Sequence, residues 1–103
     1  MKIKNKNITK KFKDWDDYTN FIDLLVMKLE YDAWHYENKG HCDGSDNIAK
    51  QMKECAKYLK KCADDMNYSK ETNCNWEEMT VLQRKDLEKA LGIIKDNLFS
   101  WWD

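Results

Sequence analysis

Ser45–Asn67 reads SDNIAKQMKECAKYLKKCADDMN. Its apolar residues Ile48, Met52, Cys55, Leu59, Cys62 and Met66 follow at steps of 4, 3, 4, 3 and 4. That spacing lines all six along one side of an α-helix. Ala49, Ala56 and Ala63 lie beside the line, while Lys50, Lys53, Lys57, Lys60 and Lys61 lie behind it. A helix this amphipathic needs other elements over its apolar side, so the rest of the chain is read as its cover.

Upstream, the spacing predicts a helix over 14–38. Asp14, Asp16 and Asp17 stand where acids cap free amides and complement the helix dipole. Trp15, Tyr18, Ile22, Leu25, Leu29, Ala33 and Tyr36 then recur at steps of 3 and 4, and Gly40 is the stop. Leu24, Met27, Tyr31 and Trp34 form a second apolar stripe roughly opposite the first, flanked by Asp16, Asp23, Glu30 and Glu37. A helix apolar on two sides is either sandwiched between helices or offers one side to a partner. Each downstream helix has one clear apolar face. The second stripe is therefore expected to meet a second copy of the chain or a target protein, with Asp23, Glu30 and Glu37 as its charged rim.

Downstream, KGHCDG at 39–44 reads as a turn, and the central helix runs over 45–66. Residues 68–75 read as a polar loop. Two capping boxes follow, Asn75 with Glu78 and Thr80 with Gln83, giving a short turn at 75–79 and a helix over 80–102. Leu87, Ala90, Leu91, Ile94, Leu98, Trp101 and Trp102 form its core face, with Ile93 and Phe99 off that face and Gly92 near the opposite side. The chain has 103 residues, no proline and three glycines, which suits one all-α domain of uninterrupted helices. The expected fold is a small three-helix bundle, or a flat three-helix arrangement, preceded by a basic N-terminal arm.

That arm, residues 1–13, carries Lys2, Lys4, Lys6, Lys10, Lys11 and Lys13 and no acid. It reads as a frayed or surface-lying tail that aids solubility, or as an electrostatic contact to nucleic acid or an acidic protein face. The net charge of −1 gives the molecule as a whole no field for nucleic acid or membrane. No stretch approaches the roughly 18 consecutive apolar residues of a membrane span. The lysines near the N-terminus are not followed by the apolar run of a signal peptide, which points to the cytosol.

No constellation for chemistry emerges. Cys55 and Cys62 lie about 10 Å apart along one helix, beyond the reach of a disulfide, and read as small buried hydrophobes. His35, His41, Cys42 and Cys74 do not repeat the paired spacing of a zinc site, since only the adjacent His41 and Cys42 are close. The acid pairs Asp64–Asp65 and Glu77–Glu78 are neighbours in sequence and so do not share a helix face. No Glu-x-x-Glu of the kind that holds magnesium in all-α nucleotide pyrophosphatases exists. No Gly-rich turn offers an oxyanion site to a Cys–His pair. Asp32, at the edge of the main apolar face, is read as pairing with Lys28 or a lysine of the central helix. The expectation is a protein without catalytic residues, metal or cofactor. Its unusual feature is five tryptophans and five tyrosines: Trp15, Trp101 and Trp102 are read as core, and Tyr31, Trp34, Tyr58 and Tyr68 as candidates for exposed anchors of an interface.

The run from Gly40-His41 through Gly44-Ser45, the following AKQMKECAKYLKK and the terminal LFSWWD carry a resemblance. They are similar to a family of small helical proteins encoded by bacterial viruses and prophages. The elements are an aromatic first helix, a Gly-His turn before Ala49-Lys50-Gln51, and the final Trp101-Trp102-Asp103. The likeness spans most of 20–103 and leaves the lysine arm outside. It implies a viral accessory protein acting in the bacterial host cytoplasm, and by analogy an inhibitor of host defence of the anti-CRISPR kind. It carries over no catalytic residue.

Overall fold

The structure, a computed structural model, describes residues 3–15, 17–40 and 44–102. The expectations placed on Lys2, Asp16, His41, Cys42 and Asp103 lie outside the described residues. Among the described residues the chain is all-helical, with no strand. It comprises α1 (Asn5–Lys13), α2 (Tyr18–Lys39), α3 (Ser45–Cys62), a 3-10 turn (Asp65–Tyr68), α4 (Ser69–Thr72) and α5 (Trp76–Trp101). This is more than a plain three-helix bundle: three long helices carry the core, and two short ones are added to it.

α3 lies in the middle, packed against α2 on one side and α5 on the other. Ala49, Met52, Cys55, Ala56, Leu59 and Cys62 are buried there. Ile22, Val26, Leu29 and Ala33 of α2, with Ala90 and Trp101 of α5, complete the core. Tyr18 lies beside Gln83 at one end, and the Tyr36 hydroxyl donates to the Trp101 carbonyl at the other. α2 and α5 therefore run the same way, and they meet through side chains rather than backbones. The molecule is flat, with extents of 47 × 30 × 21 Å.

Several boundaries differ from the sequence reading, each for a local reason. Residues 5–13 form a helix rather than a frayed arm. Ile8 and Phe12 are one turn apart, and Lys10, Lys11 and Lys13 in the last turn complement the dipole. α2 starts at Tyr18 rather than Asp14, because the Asp17 carboxylate accepts the Thr19 amide at 2.8 Å. Trp15 is thereby left in the connection between α1 and α2, exposed instead of in the core. Met66 leaves the α3 seam because Asp64 caps a new 3-10 turn, accepting the Met66 amide at 2.9 Å. Within that turn Tyr68 is buried, not exposed. α5 is continuous from Trp76: Asn75 accepts the Glu78 amide at 3.0 Å, while the Thr80 hydroxyl turns back to the Trp76 carbonyl at 3.0 Å and caps nothing.

Gly40 ends α2, but not in the left-handed conformation usual for such glycines: its φ is −71°. A Cβ there would stand 2.5 Å from both Ser45 Oγ and the Tyr36 carbonyl oxygen. The chain turns into α3 at this point because no side chain is in the way.

Candidate protein-binding surface

The second stripe of α2 already has an occupant. Ile3 and Ile8 come over Leu24, Met27 and Tyr31, enclosing a gap of about 190 Å³, and Lys11 of α1 pairs with Asp23 at 2.7 Å. Leu24, Met27, Tyr31 and Trp34 are all half-buried. The expectation that this stripe awaits another molecule is thus corrected in its main part. The helix built from the lysine arm supplies the missing apolar side. Trp34 lies beyond α1, against His35 at 5.0 Å between ring centres, with Lys39 over its face at 5.6 Å. The expected rim is also engaged within the chain, since Glu30 pairs with Lys60 at 2.8 Å and Glu37 with Lys53.

The uncovered aromatics lie instead at the elbow between α1 and α2. Trp15 is 92% exposed, Phe12 78%, Phe21 67% and Tyr18 58%. They surround a cleft of about 710 Å³ floored by Leu24 and Leu25, with Lys11, Asp14 and Asp17 on its rim. Four rings in solvent around one cleft are unusual on a small domain. Rigid rings lose little conformational freedom on binding, which suits them to anchor an interface. Sequence reasoning missed Phe12 and Phe21 as site residues. The available signal was that both fall off the core line of any helix, which the early start assumed for α2 concealed by drawing Trp15 and Tyr18 into the core.

The lysines proposed for nucleic acid are divided by α1. Lys6, Lys10 and Lys13, at steps of 4 and 3, are exposed along one side. Lys4 precedes the helix, also exposed. Lys11 is partly buried against Asp23.

Inside the molecule the titratable groups are held neutral or paired. The Tyr68 hydroxyl donates to the Asp86 carboxylate at 2.6 Å, both residues being buried. Burial first, and the Asp86 bond second, push the Tyr68 phenol up from its ordinary value. Burial, helped by nearby Cys62, raises the Cys55 thiol to about 11, and burial with Asp86 raises that of Cys62. Thiols protonated this firmly are poor nucleophiles. Asp32 pairs with Lys28 at 3.2 Å and accepts the Trp102 indole N–H at 3.0 Å. It thus ties the end of α5 to α2. Trp102 itself is half exposed rather than core. Among the described residues, no three His, Cys, Asp or Glu side chains converge as metal ligands would. Among them too, no helix is long and apolar enough to cross a membrane.

Comparison of the chain with family models, with curated proteins and with solved structures finds no match.

Proposed function

We propose that this is a non-enzymatic binding protein that blocks or redirects a bacterial macromolecule by protein–protein contact through the aromatic elbow. The observation that carries the reading is the set of exposed rings Phe12, Trp15, Tyr18 and Phe21 around one cleft. Its charged rim would set orientation more than affinity. The likeness of the Gly40–Ser45 turn, the Ala49-Lys50-Gln51 helix and the Trp101-Trp102-Asp103 ending to phage and prophage proteins suggests the setting. That setting is a phage-encoded inhibitor acting in the host cytoplasm, with a CRISPR-type defence complex as target.

The test pairs wild type with Trp15→Ala/Phe21→Ala, a change at exposed sites whose unchanged circular dichroism should show that the fold is kept. Wild type produced in CRISPR-immune cells should restore plating of a targeted phage and should co-purify with the defence complex; the variant should do neither. A wild type that protects no phage and captures no defence component ends the defence reading. A variant as active as wild type removes the elbow from it.

One observation favours a second reading. The alignment of Lys6, Lys10 and Lys13 along the open side of α1 makes a basic helix face suited to nucleic-acid phosphates. It requires DNA or RNA binding that weakens steeply with salt and is lost on deleting residues 1–11. Affinity unchanged by that deletion would exclude it.

A further inference from the structure

The outer side of α5 is unexpectedly apolar and also unexpectedly ordered in its charges. Leu91 and Val81 are exposed, Phe99 is 87% exposed and Trp102 50%, the Trp102 indole N–H being held by Asp32 of α2 while half of the residue stays in solvent. At 100° per residue Val81, Leu91 and Phe99 share a side of the helix with Arg84, Glu88, Gly92 and Lys95, a band about 100° wide, and Trp102 follows at its end as the C-cap. Arg84, Glu88 and Lys95 are exposed and make no ion pair with any described residue.

These eight residues are arranged symmetrically about the point between Leu91 and Gly92. Equal steps outward from that point give Glu88 and Lys95, then Arg84 and Phe99, then Val81 and Trp102. Each pair is complementary rather than alike: acid with base, cation with aromatic ring, small apolar with large. The pairing is what two antiparallel helices related by a two-fold axis require, because residue i then meets residue j and j meets i.

Gly92 supplies an independent observation. It lies inside a 26-residue helix, where glycine is disfavoured against alanine. A Cβ at Gly92 would meet none of the described residues within 4 Å, so no contact with them calls for its absence. A second helix crossing at that point would.

We infer that the outer side of α5 is the seam of a homodimer, two α5 helices packing antiparallel with the two-fold axis at Leu91 and Gly92. Glu88 then faces the partner's Lys95 on both sides of the axis, Arg84 lies over the partner's Phe99, and Val81 packs under the partner's Trp102. Leu91 fills the space left at the partner's Gly92. The seam runs about 32 Å along the helix and involves none of the elbow aromatics. A dimer would thus present two elbows, which adds to the proposed function without resting on it.

The test is molar mass in solution by sedimentation of the full chain across the micromolar range, with charge reversals. Wild type should be a dimer. Glu88→Lys alone and Lys95→Glu alone put like charges together and should each weaken association at least roughly tenfold. The double reversal Glu88→Lys/Lys95→Glu should restore it. Gly92→Leu should give a monomer with undiminished helicity, confirming that the fold survives. A wild type that stays monomeric overturns the inference. So does a dimer indifferent to the single reversals, or one that the double reversal fails to rescue.

Discussion

α3 and α1 are both lysine-rich amphipathic helices, yet the molecule treats them very differently. α3 buries seven residues, Ser45, Ala49, Met52, Cys55, Ala56, Leu59 and Cys62, between two long neighbours. Among the described residues α1 buries none and packs against α2 alone of the helices. α3 sends Lys53 and Lys60 to acids of α2, so that its charged flank also serves the packing. α1 makes one such pair, Lys11 to Asp23, and leaves a gap of about 190 Å³ beneath it. The difference teaches that helical periodicity licenses burial but does not measure it. What counts is the number of sides on which a helix finds neighbours. A nine-residue helix is marginal by itself, so α1 persists only through what it touches on α2.

The comparison breaks first if α3 can be hollowed cheaply. Met52 is fully buried in the core, and Met52→Ala should cost about 2–5 kcal/mol, measured by urea unfolding with unchanged slope. A loss below about 1 kcal/mol would mean that the α3 core is no better packed than the α1 contact.

A smaller effect is expected where the chain leaves α3. Tyr68→Phe removes the hydroxyl bonded to buried Asp86 and should cost roughly 1–3 kcal/mol at neutral pH. The same site has a pH signature. The folded-state phenol is raised above its unfolded value of about 10, so its contribution is full below that pH and declines as the pH rises through and beyond it. Wild type should therefore lose stability above about pH 10 more steeply than Tyr68→Phe. Parallel stability curves for the two proteins would contradict the buried bond.

Removing residues 1–13 should cost less again, about 1–2 kcal/mol for the partly buried Ile8 and its surroundings. The truncated chain should remain folded by circular dichroism, with Leu24, Met27 and Tyr31 newly accessible to an apolar dye. Collapse of the fold on truncation would show that α1 carries as much as α3.

The smallest perturbation leaves stability untouched. In native protein a thiol reagent should label exposed Cys74 quickly, while buried Cys55 and Cys62 react only on unfolding. Equal rates would show that α3 opens as freely as α1.

The local code was legible at the residues where one side chain settles a boundary. The 4, 3, 4, 3 line through Met52, Cys55 and Leu59 made α3 certain to be helical and one-sided, and its buried set follows that line. Gly40 marks the end of α2 as read, and Asn75, one of the two caps weighed, proves to start α5 in place of the preferred Thr80. The candidate site was much less legible. Trp15 was indistinguishable from a core tryptophan until Asp17, not Asp14, proved to cap α2. Tyr68 looked like a loop residue until Asp86, 18 positions later, came to meet it.

The sequence by itself determined that this protein is helical, where most of its long helices lie, and that α2 is apolar on two sides. Only the tertiary structure decided which apolar side is covered, and by what. α1 folds over Leu24, Met27 and Tyr31, while Phe12, Trp15 and Phe21 at the elbow, and Leu91 and Phe99 on α5, stay in solvent. The physical reason is that periodicity is a property of one helix, whereas burial belongs to a pair. A side chain leaves water only where a neighbour's surface arrives at the right distance, and no local pattern encodes which neighbour that will be.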